Sequence, residues 1–65
     1  MIINSVGTLN ELDPGSVLLC ADRVSREVVR DPDRQVDRVV LRSPDGTVVT
    51  ETVDIVRLLP AFLSN

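Results

Sequence analysis

The sequence predicts a mainly β protein, a small antiparallel barrel or meander of about five strands with a short N-terminal helical turn and a one-turn helix before the last strand. Three observations lead there. β-branched residues gather in short runs divided by turn residues. Ser43-Pro44-Asp45-Gly46 forms a hairpin tip: proline presets φ for the second turn position, aspartate suits the third, and glycine accepts the left-handed fourth. A chain of 65 residues suffices for one domain, 1–65, near the lower size for a self-sufficient core.

In order, Met1-Ile2-Ile3 is extended in character. Ser5 then reads as an N-cap, with Val6, Leu9 and Leu12 on one ridge of a helical turn that Asp13-Pro14-Gly15 ends. Ser16 to Ala21, with its apolar run from Val17, reads as a strand covered on both faces, and Val24 to Arg30 as its neighbour. An α+β alternative stands beside this, because Val17, Ala21, Val24 and Val28 also fall at helical spacing between Pro14 and Pro32, and Asp22 with Arg26 would be neighbours on a helix over 14–30. Four valines and Gly15 favour the two strands. Asp31 to Gln35 is a polar connection. The hairpin strands then run from near Val36 to Arg42 and from Thr47 to Val53.

Beyond them Ile55, Leu58 and Leu59 share one side of a single helical turn that ends at Pro60. Ala61-Phe62-Leu63 completes the sheet, and Phe62, the only aromatic residue, is expected to plug one end of the core. Five short strands with a helical turn before the last is the order of an SH3-like small barrel, in which closure hides the strand edges. That likeness of fold carries no function with it.

Ser5-Val6, Leu9, Leu12, Gly15-Ser16-Val17 and Leu59-Pro60-Ala61-Phe62-Leu63 resemble the small accessory proteins encoded by phages of actinobacteria. The resemblance covers about the first quarter of the chain and its last few residues. It implies a phage origin and an accessory or host-directed role, and it transfers no functional residues.

Composition narrows the function chiefly by exclusion. Hydrophobic residues at 43% make the chain too apolar for intrinsic disorder, and charged residues at 26% leave no membrane span. No basic stretch followed by an apolar one opens the chain, so the expected compartment is the cytoplasm, that of the host cell if the protein is phage-encoded. The chain has no histidine, so a serine nucleophile lacks its usual base. Cys20 sits in the apolar run and reads as a buried, inert thiol. Asp31 with Asp33, and Glu11 with Asp13, lack the ordered ligand pattern of a calcium loop and read as solvated turn formers. The expectation is a non-enzymatic protein without cofactor or metal.

The one patterned feature is arginine. All seven basic residues are arginine, and Arg26, Arg30, Arg34, Arg38 and Arg42 recur at every fourth position. Pro32 forbids a continuous helix through them. In strands, equal parity puts Arg26 with Arg30 and Arg38 with Arg42 on shared faces. A five-residue connection would set Arg30 opposite Val36 and Val28 opposite Arg38, giving a mixed Arg/Val face. That face reads either as a partner-binding surface or as a solvated one whose arginines lie over valines and pair with Glu27, Asp37 and Asp54.

A net charge of −3 and the lack of an aromatic platform disfavour nucleic acid and proline-rich peptides. Two functions remain. One is a protein-binding module, in the phage reading a modulator of a host protein. The other is a self-associating accessory subunit, a homo-oligomer in which another copy covers strand edges or the valine-rich surface.

Overall fold

The computed structural model describes residues 1–31, 33 and 38–64. The chain runs β1 (Ile2–Ile3), α1 (Val6–Asn10), β2 (Val17–Leu19), β3 (Ser25–Arg30), β4 (Val39–Arg42), β5 (Val48–Val49), α2 (Thr52–Arg57) and β6 (Ala61–Leu63). The strands form one six-stranded antiparallel sheet in the order β1-β6-β2-β3-β4-β5. The fold is mainly β, and residues 14–30 form a strand hairpin, so the helical alternative is set aside. Among the described residues no pairing joins β5 to β1, and the sheet stays open where a closed barrel was expected. The sixth strand is the extended N-terminal segment, which pairs Ile2 with Phe62 and Ile3 with Ala61.

Strand parity decides what each face carries. Ile3, Leu18, Val28, Val39, Leu41 and Ala61 point to one side, where Leu9 of α1 and Ile55 of α2 cover them, and among the described residues these make a nine-residue core with Cys20. Removing each large side chain from water stabilises the fold by about 1.5–3 kcal/mol. Val6, Leu12, Val49, Leu58, Leu59 and Leu63 close over the rim of this core. Val40, opposite Val29 on the other side of the sheet, is also fully buried.

Local chemistry starts and stops the helices. Ser5 is extended, and its Oγ accepts a hydrogen bond from the Thr8 amide at 3.2 Å, as its capping residue type suggests. The last residue of α1, Asn10, accepts from the Val39 amide at 3.1 Å and so ties the helix to the start of β4. Helix α2 begins at Thr52, inside the stretch expected to be strand as far as Val53. Val49 faces the core rim, so an unbroken strand would next turn the carboxylate of Glu51 inward. Coiling after Glu51 puts Ile55 in the core instead, at 1% exposure. Asp54 in the first turn and Arg57 in the last both complement the helix dipole.

Two further expectations are corrected. Phe62 is no core plug: Ala61 and Leu63 face inward, so parity turns Phe62 out, 49% exposed. Asp31 is not solvated. It is 8% exposed, one carboxylate oxygen accepts from the Asp33 amide at 3.0 Å, and the other takes Arg38 at 3.1 Å. Asp31 alone is thus a structural anchor at the end of β3, while Asp33 is exposed. The positions expected for Val36 and Asp37 lie outside the described residues.

Candidate interaction surface

The hairpins β2–β3 and β4–β5 turn at the same end of the sheet, through two loops with one bonding scheme. In the first, the Cys20 amide donates to the Val24 carbonyl at 3.0 Å and the Arg23 amide to the Cys20 carbonyl at 2.9 Å. In the second, the Ser43 amide donates to the Thr47 carbonyl at 2.8 Å and the Gly46 amide to the Ser43 carbonyl at 2.9 Å. Each is a three-residue loop, a type I turn followed by one left-handed residue. That residue is Arg23, at φ 70°, in one loop and Gly46, at φ 91°, in the other. An aspartate locks each loop: Asp22 accepts from the Val24 amide at 3.1 Å, and Asp45 from the Thr47 amide at 2.9 Å.

Arg26 joins the two loops. Its terminal nitrogens grip both Asp22 oxygens at 2.8 and 2.9 Å, and its Nε donates to Ser43 Oγ at 3.1 Å. The bidentate geometry holds the Asp22 carboxyl below the usual carboxylate range and raises the guanidinium above its own. Asp45 is lowered chiefly by the Thr47 amide. The Cys20 thiol, 3% exposed, is pushed up by burial, with Arg26 acting in the opposite direction.

The arginines expected to make one face do not come together. Arg26 and Arg30 are register partners of the inward residues Leu18 and Val39. Arg42 stands opposite Glu27 on the other side and meets its carboxylate at 2.6 Å. Arg38 binds Asp31 and also donates to the Thr50 carbonyl. The register is Arg30 with Val39 and Val28 with Leu41, displaced from the expected pairing, so the mixed Arg/Val face does not form. Of the acidic partners expected, Glu27 is one. Asp22 and Asp31 also pair with arginines, and Asp22 reaches Arg26 across a hairpin loop rather than along a helix.

What the open side of the sheet offers instead is apolar. Ile2, Phe62 and Leu19 are consecutive cross-strand partners on β1, β6 and β2, exposed by 55%, 49% and 40%. Beside them lies a notch of about 480 Å³ lined by Leu19, Cys20, Ala21, Arg23 and Phe62. Among the described residues no group of three or more His, Cys, Asp or Glu side chains is placed to hold a metal ion, and no helix is long and apolar enough to cross a membrane. Sequence reasoning missed this row because it turned Phe62 inward. The signal was the flanking pair Ala61 and Leu63, which together bury more on one face than Phe62 alone would on the other.

No protein-family model, curated protein or solved structure matches the chain.

Proposed function

We propose that the chain is a non-enzymatic protein-interaction module whose contact surface is the open side of β1, β6 and β2. The observation that carries this reading is the unbroken row Ile2–Phe62–Leu19, about half exposed on adjacent paired strands. Contiguous exposed apolar patches on small proteins mark interaction sites more often than chance, and an aromatic at the centre of such a patch is a typical anchor. Arg26, Arg38 and Arg42 are paired within the fold and contribute architecture. In topology the module is SH3-like: the order β6-β2-β3-β4-β5, with α2 between β5 and β6, supports that assignment. The resemblance to phage accessory proteins adds a role, the masking of a host protein surface in the host cytoplasm.

The test is recovery of partner from host lysate by the wild-type chain against a Leu19→Ser, Phe62→Ser double variant, with Arg38→Glu, Arg42→Glu as a comparison. Loss of a specific partner in the first variant supports the apolar row. Equal recovery by the wild type and the double variant removes it.

Self-association is a second reading, and a separate observation favours it: Val53 and Val56, 60% and 51% exposed, lie three residues apart on α2. Light scattering after size exclusion separates the two readings, since a monomer at every concentration leaves only the hetero-partner.

A further inference from the structure

The twin loops supply an internal comparison. With the same hydrogen bonds and the same aspartate lock, one loop fills its left-handed position with glycine and the other with Arg23. Glycine is what that φ favours, because a Cβ crowds the following carbonyl. The arginine side chain therefore sits where the backbone disfavours it, and Arg23 is one of the residues that line the notch with Leu19 and Phe62. Among the described residues no carboxylate pairs with Arg23, whereas its neighbour Asp22 is held by both terminal nitrogens of Arg26. The loop thus presents one uncompensated positive charge against an apolar wall, on a chain of net charge −3.

Resting on the interaction-module reading above, we propose that this notch takes an acidic segment of the partner protein. The segment sets a large apolar side chain against Leu19 and Phe62, and an adjacent aspartate or glutamate on the Arg23 guanidinium. Charge complementarity selects this occupant. A basic segment would meet Arg23 with like charge, and a second copy related by a two-fold axis through the notch would bring two Arg23 side chains together.

The probe is a random dodecapeptide library selected on the immobilised full chain. Peptides enriched by the wild type are expected to carry a large apolar residue next to Asp or Glu, with acidic over basic residues raised by about threefold, the scale of one exposed ion pair. Phe62→Ser abolishes enrichment. Arg23→Gly, which suits the loop better and should fold at least as well, keeps the apolar preference and loses the acidic one, while Arg23→Glu reverses it toward Lys and Arg. Arg57→Ala, on α2, leaves the wild-type pattern unchanged. Enriched peptides that need Phe62 but show no acidic preference, or one that survives Arg23→Gly, overturn the acidic partner and leave the module standing. No enrichment by the wild type overturns the module itself.

Discussion

The two loops at one end of the sheet share a geometry and differ in what holds it. The β4–β5 loop, Ser43 to Thr47, has proline, aspartate and glycine at the positions where each is best suited, and its left-handed residue carries no side chain. The β2–β3 loop, Cys20 to Val24, reaches the same geometry with Ala21, Asp22 and Arg23. The first is specified chiefly by its own residues, with the bond from Arg26 Nε to Ser43 Oγ as its outside contact. The second is less favourable in its backbone and is held by contacts from outside, above all by Arg26 and by the Ala21 amide donating to the Leu58 carbonyl at 2.8 Å. A turn can therefore be fixed either by its own residues or by its surroundings, and only the second kind is free to display a large side chain at the bend.

The comparison breaks most visibly at Arg26. Arg26→Ala removes a bidentate ion pair and the link to Ser43, and loses the packing of a stem 11% exposed. Loss of about 2 kcal/mol is expected, the usual scale for charged hydrogen bonds that are partly shielded from water. For a domain of this size that lowers the midpoint of thermal unfolding by roughly 10 °C. Amide exchange should speed up around Asp22 to Val24 and change less around Pro44 to Gly46. Equal acceleration in both loops would show that the second depends on outside support as much as the first.

Next comes Gly46→Ala. The space beside this glycine is open, so its cost is the left-handed φ alone, about 1 kcal/mol, or roughly 5 °C in the melting midpoint. Arg23→Gly runs the other way. Relief of the same conformational penalty, less the added freedom of the unfolded chain, should stabilise by about 0.5 kcal/mol. A neutral or destabilising result would mean that the Arg23 side chain already makes a stabilising contact in the folded chain.

The smallest effect is that of acid. Asp22 and Asp45 both titrate below the ordinary carboxylate range in the fold. As pH falls, the unfolded chain takes up these protons first, so the stability they contribute is present above about pH 4 and is lost as pH drops through their native values. Asp22→Asn and Asp45→Asn should each flatten part of that acid limb in denaturant titrations. Asp22→Asn should flatten it most while Arg26 is present and less in the Arg26→Ala background, where the Val24 amide still favours the carboxylate; an equal effect in both backgrounds would separate the carboxylate from its arginine partner.

The same contrast explains what was legible in the sequence. Ser43-Pro44-Asp45-Gly46 announces its loop because every residue in it acts locally, and so do the Ser5 cap and the β-branched runs that became β3 and β4. Positions governed by what lies across the sheet were harder to read. The arginine repeat looked like one face because a period of four preserves parity within a strand, but the displaced register and the opposite orientations of Arg26 and Arg42 divide it. Asp31 looked like a solvated turn former because its burial depends on Arg38, seven residues away. Phe62 was turned inward because aromatic rings usually are, when the decision belonged to its neighbours Ala61 and Leu63.

Cys20 offers one last use of this architecture. The chain has a single thiol, 3% exposed at the junction of β2 and the arginine-bearing loop, where a reagent reaches it far more readily once that corner parts. Its labelling rate is thus a stopwatch for local opening. Timed against global unfolding, it would tell whether this end of the molecule breathes independently or lets go only with the whole.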